Sequence, residues 1–129
     1  MEKVFIEPTR TTPMVKFDPD EGLLEMKGRS SPENSIQFYQ KVLDSLEEYA
    51  VSGGDEFTAN IAFEYFNTSS SKCLFDVFKR LGKIESSGKT ITINWYYEEG
   101  DDDMMEAGED YSDLLDLDFN FHEIEEDDL

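Results

Sequence analysis

Four consecutive hydroxyl residues, Thr68, Ser69, Ser70 and Ser71, follow Tyr65-Phe66-Asn67 and precede Lys72, and they are the side chains of this sequence best placed to do chemistry. They fall where a strand-like run gives way to a helix-like one. The first turn of a helix presents unpaired backbone N–H groups and the positive end of a dipole, so a phosphate carried there is held with little further help. The same residue types also serve as plain N-caps, because their side-chain oxygens accept from those N–H groups. Capping uses only one of the four. The residues alone leave both readings open, and they do not choose among the hydroxyls.

Other chemistries lack their parts. A hydrolytic triad needs a histidine beside its nucleophile, and the single histidine, His122, lies far along the chain in an acidic segment. There is no Gly-rich phosphate loop, no Cys–His metal spacing and no dinucleotide fingerprint. Asp101-Asp102-Asp103 with Glu106 shares only composition with a calcium loop, because the glycine and the glutamate that such a loop requires cannot both be placed. Cys73 is the one cysteine, which excludes an internal disulfide, and its position suits a buried structural thiol better than a reactive thiolate. Neither catalysis, nor a metal, nor a cofactor is expected.

The elements that must carry the hydroxyl run are well punctuated. Met14 to Phe17 and Leu23 to Lys27 flank the turn cluster Asp18-Pro19-Asp20-Glu21-Gly22, a hairpin signal. Ser31-Pro32 offers an N-cap followed by proline, and Ile36, Tyr39, Val42, Leu43, Leu46, Tyr49 and Ala50 recur at helical spacing until Gly53-Gly54. Residues 57–65 and 90–97 alternate with period two, as strands do, and Leu74, Phe75, Phe78, Leu81 and Ile84 between them return to helical spacing. Met104, Met105, Gly108, Tyr111, Leu114 and Leu115 form one face of a third, acidic helix over 102–115, with Phe119 and Phe121 in a further possible strand. The pattern predicts an α/β sandwich with an N-terminal β-hairpin and a mixed sheet of four to five strands packed by about three helices. Residues 1–13 read as a loose lead-in whose Val4, Phe5 and Ile6 can pair with the sheet edge, 14–124 as one domain, and 125–129 as an acidic tail. The hydroxyl run then sits at the carboxyl end of a strand, where α/β sheets commonly bind ligands and partners.

The 129 residues suffice for one domain with a real core, and ten Phe, six Tyr and one Trp argue against a disordered acidic chain. The formal net charge is -20, and 16 of the 31 acidic residues fall within residues 98–129, which hold no Lys or Arg. Such a surface repels nucleic acid and anionic lipid and favours a basic protein partner. It equally suits a merely solubilising face. With no long apolar run and no leader-like segment, a cytoplasmic protein is expected.

Three segments carry a resemblance: Glu64-Tyr65-Phe66-Asn67-Thr68-Ser69-Ser70-Ser71-Lys72, Ile93-Asn94-Trp95-Tyr96-Tyr97-Glu98-Glu99, and Met105-Glu106-Ala107-Gly108-Glu109-Asp110. Together they resemble the SiaC family of bacterial regulatory phosphoproteins, single-domain proteins similar to STAS-type anti-anti-sigma factors, over nearly the whole chain. The resemblance implies a partner switch in which a dedicated SiaB-like kinase phosphorylates one threonine and a SiaA-like PPM-type phosphatase removes the phosphate. The unmodified form then engages a target, in the best-known branch a SiaD-like GGDEF diguanylate cyclase that it activates. The matching threonine is Thr68, with Asn67, Ser69, Ser70, Ser71 and Lys72 as its loop. Trp95, Tyr96, Tyr97, Met104, Met105, Glu106 and Glu109 form the candidate partner surface. The competing expectation is a constitutive acidic adaptor or inhibitor in which Thr68 only caps a helix.

Overall fold

The computed structural model describes residues 1–125 as β1 (Val4–Ile6), β2 (Met14–Asp18), β3 (Leu23–Ser30), α1 (Ser35–Ser52), β4 (Glu56–Phe66), α2 (Thr68–Ser86), β5 (Thr90–Glu98), α3 (Asp102–Leu115) and β6 (Phe119–Ile124). The strands form one sheet in sequence order. β1, β2 and β3 pair antiparallel, whereas β3, β4, β5 and β6 pair parallel, each joined to the next through a helix. This is the mixed α/β architecture expected, with six strands rather than four to five. Both additional strands are edges: Val4, Phe5 and Ile6 of the lead-in pair with β2, and β6 pairs with β5 from Ile93↔Phe119 to Glu98↔Ile124. Of the acidic tail, residues 126–129 lie outside the described residues.

Alternation decides which face of the sheet is covered. Val15, Phe17, Leu24, Met26, Phe57, Ala59, Ile61, Phe63, Ile93 and Trp95 point one way into a single core shared with all three helices. Consecutive right-handed crossovers advancing across a sheet place their helices on one face, and the burial follows that rule. Among the described residues the opposite face carries no helix. There Asn60 Nδ2 donates to Glu25 Oε2 (3.2 Å), Asn94 Nδ2 to Asn60 Oδ1 (2.8 Å), and His122 Nε2 lies 3.0 Å from Asn94 Oδ1. Glu25 is an acceptor, so the amide N–H groups point toward it and Asn94 Oδ1 accepts a hydrogen bond from His122 Nε2–H.

Two boundaries differ from the sequence reading. The Ser31 backbone N–H donates to Thr11 O (2.7 Å), tying that residue to the loop between β1 and β2, so α1 begins later and is capped by Asn34, whose side chain accepts from Gln37 N (3.1 Å). Ile36 consequently falls on the outer face and is 73% exposed. The second difference is a bulge at the end of β4. The register passes from Gly28↔Phe63 to Arg29↔Tyr65, leaving Glu64 unpaired, so Glu64 and Tyr65 are both exposed and Phe66 turns back toward the core.

Candidate functional site

The hydroxyl run begins α2 because Asn67 ends β4. Its N–H donates to Ser30 O (3.0 Å), completing the sheet pairing. Its carbonyl accepts from Ser71 N (2.9 Å), and its side-chain Oδ1 accepts from Ser70 N (2.9 Å). Asn67 is therefore the N-cap, a role for which the sequence offers the four hydroxyls as candidates. None of the four hydroxyls is needed as the cap, and their surroundings separate them.

Ser69 Oγ lies 2.7 Å from Ser35 Oγ at the start of α1 and also donates to Asn67 Oδ1 (3.2 Å). Ser70 is fully buried: Ser30 Oγ donates to it (2.8 Å) and it donates to Ser30 O (3.1 Å). Because the Ser30 O–H donates to Ser70, its oxygen accepts from the Tyr39 hydroxyl at 2.6 Å. Ser71 Oγ lies 3.0 Å from the hydroxyl of Tyr111 on α3, which donates to Ser71 O (2.8 Å). Each serine is thus tied to a different part of the fold. Thr68 is exposed, and its hydroxyl has no hydrogen bond among the described residues. Lys72, one turn on, is exposed and has no ion pair among them either.

The electrostatics of the turn are unusual for so acidic a chain. Neither α1 nor α2 carries an acidic residue in its first turn, whereas α3 has Asp102 and Asp103 there. The first turn of α2 thus supplies no carboxylate of its own to the positive end of the helix beside Thr68. Burial pushes the Tyr39 hydroxyl well above its ordinary range against the opposing effect of Ser30, and burial likewise raises Tyr111 against Ser71. Both phenols stay protonated and able to donate. Burial, with Asp76 beside it, also raises the Cys73 thiol, which is nearly enclosed.

The aromatic and acidic motifs divide between core and surface. Trp95, placed by the sequence reading on a candidate partner surface, is fully buried instead: its indole packs against Phe66, Phe78, Tyr111 and Phe119, and Nε1 donates to Met104 O (2.9 Å). Met104 is buried by the same docking of α3 and is likewise no surface residue. Gly108 allows that docking, since a Cβ there would lie 2.7 Å from Trp95 Cδ1 and Nε1. Tyr96 lies on the opposite sheet face, stacked on His122 with ring centroids 4.7 Å apart, while Tyr97 is half-buried against the core. Met105 is half-buried, and Glu106 and Glu109 are exposed on α3. Ser30, Ser35, Tyr39 and Tyr111, which hold the run, had no distinguishing mark beyond helical spacing or proximity to a turn. Among the described residues no cluster of His, Cys, Asp and Glu is placed to hold a metal, and no helix is long and apolar enough to cross a membrane.

A mixed sheet covered by helices on one face, with a partly exposed hydroxyl run at a strand-to-helix junction, defines a small single-sheet α/β domain. The model of the SiaC family regulatory phosphoproteins matches residues 6–124, and the chain belongs to that family. The solved structure of SiaC of Pseudomonas aeruginosa superposes with a TM-score of 0.83 at 29% identity, covering 95% of this chain and 97% of that one. A chain in the crystal structure of the diguanylate cyclase SiaD in complex with its activator SiaC, from the same organism, matches with a TM-score of 0.88 at 26% identity, covering 94% and 99%. An uncharacterised protein of Pseudomonas aeruginosa strain UCBPP-PA14 is 29% identical over 111 residues, 86% of this chain and 88% of that protein. The chain is therefore a regulatory protein of the SiaC type.

Proposed function

We propose that this protein is a non-enzymatic, phospho-regulated partner switch: phosphorylation of Thr68 by a cognate kinase releases a target, and a PPM-type phosphatase restores binding. The target is a GGDEF diguanylate cyclase, which the unmodified form activates. The observation that carries this reading is the exposed Thr68 hydroxyl, without a hydrogen bond among the described residues, in a turn whose three other hydroxyls are engaged. The activator role of SiaC in its complex with SiaD supports the choice of target. Phosphate adds about -1.5 to -2 charges at a helix start, and a partner packed on the unmodified turn would meet both bulk and a desolvation penalty. Lys72 offers the phosphate a neighbouring cation.

The test is phosphopeptide mapping of protein from native cells with and without phosphatase, followed by binding of a co-encoded cyclase. Thr68→Ala is expected to bind as the unmodified wild type does. The phosphorylated protein should bind at least about tenfold more weakly, which is about 1.4 kcal/mol. Thr68→Asp should fall between them, having one charge and fewer acceptor oxygens than a phosphate. Equal affinity of all four forms would sink the switch and favour a constitutive acidic adaptor.

A further inference from the structure

We infer that Ser35 and Tyr111 determine the specificity of the phosphorylation site, each withholding one serine of the run so that modification is confined to Thr68. The inference rests on the reading of Thr68 as the modified residue, and adds why its neighbours are not. Ser69 is exposed like Thr68 and is separated from it by one position, so exposure alone does not distinguish them. What differs is that the Ser69 hydroxyl is held by Ser35 Oγ at 2.7 Å and by Asn67 Oδ1 at 3.2 Å. Ser71 is half-buried, and Tyr111 contacts both its hydroxyl and its carbonyl, at 3.0 and 2.8 Å. Ser70 needs no such restraint from outside, being fully buried beneath the turn.

A hydroxyl takes the γ-phosphoryl group of a nucleoside triphosphate only when its oxygen can approach the phosphorus in line with the departing nucleoside diphosphate and surrender its proton to a base of the kinase. One locked in a hydrogen bond to another element must first break that bond and turn outward. Loss of one such bond shifts the open population by about tenfold, enough to redirect a kinase between adjacent hydroxyls. Ser35 and Tyr111 touch no phosphate donor themselves. They are positioning residues, and they lie on two different helices.

The variants Ser35→Ala and Tyr111→Phe each remove one anchoring hydroxyl with little change of volume. Two readouts are combined: three-bond Hα–Hβ couplings of Ser69 and Ser71 in the purified protein, which need no kinase, and the distribution of phosphate across residues 68–71 in native cells. Ser35→Ala should average the Ser69 couplings alone and raise phosphate on Ser69 relative to Thr68 by about tenfold. Tyr111→Phe should do the same for Ser71 alone. General destabilisation would instead alter both serines in both variants, a result that overturns the assignment. Unchanged couplings overturn the anchoring, and averaged couplings with phosphate still confined to Thr68 overturn its role in specificity. If wild type carries no phosphate on Thr68, the switch itself fails, and specific averaging of the two serines still upholds the anchoring.

Discussion

Gly108 shows how much of the third helix depends on one missing methyl group. Trp95 fills the notch that the glycine leaves, and its indole N–H reaches Met104 O across the same contact. The ring is rigid and fully buried, so it cannot yield as a flexible side-chain end would. Gly108→Ala should therefore destabilise the protein by about 1–3 kcal/mol, the cost typical of overpacking, despite the better helix propensity of alanine. Urea denaturation followed by tryptophan fluorescence would measure it, and an unchanged midpoint would show that α3 shifts freely. The buried phenols give a second prediction. Tyr39 and Tyr111 have pKa values raised by burial above the value of about 10 they take when unfolded. Their contribution to stability is complete below that unfolded value and is lost as pH rises toward the folded ones, because the unfolded chain then releases protons that the native state retains. Stability should fall steeply above about pH 10. Tyr39→Phe, though less stable at neutral pH for want of its bond to Ser30, should show a shallower alkaline decline in thermal melts.

Between the elements, the agreement of sequence and structure follows the strength of the local signal. The β2–β3 hairpin, the three helices and the period-two strands β4 and β5 were legible because each carries its own periodicity and a glycine or proline boundary. β1 and β6 were less so. Strands of three and six residues bury little on their own and owe their place to pairing with β2 and β5. The start of α1 was displaced because a tertiary bond from Ser31 to Thr11 outweighs the Ser-Pro signal. The candidate site was legible as a segment and not as a mechanism. Asn67, the hydroxyl run 68–71 as a whole and Lys72 stand out in the sequence, but the partners that sort the serines lie about 30 to 40 residues away, on α1, β3 and α3. The candidate partner surface takes in Trp95, Tyr96 and Tyr97 together, although a strand turns neighbours to opposite faces, and alternation from Ile93 directs the tryptophan into the core. The bulge opposite Gly28 had no sequence signal beyond that glycine, yet it places Tyr65 under the Arg29 guanidinium, 5.0 Å from the ring centroid, beside the turn.

The charge of the whole molecule acts on folding and on binding with opposite sign. A net charge of -20 on 129 residues repels itself in the compact state, and the repulsion is not offset locally in α3, whose first turn and exposed face are acidic. Added salt screens it, since the Debye length falls to about 10 Å at 0.1 M, so the melting temperature should rise between 0.01 and about 0.3 M sodium chloride. Attraction of the same acidic face to a basic partner is screened by the same ions. If Glu106 and Glu109 take part in docking, affinity for the proposed cyclase target should fall over the range in which stability rises, mainly through a slower association rate. Glu106→Gln with Glu109→Gln should then reduce the salt dependence while leaving the effect of Thr68 phosphorylation intact. Affinity that is indifferent to salt, in a protein whose melting temperature still responds, would restrict the acidic helix to solvation and confine recognition to the hydroxyl turn.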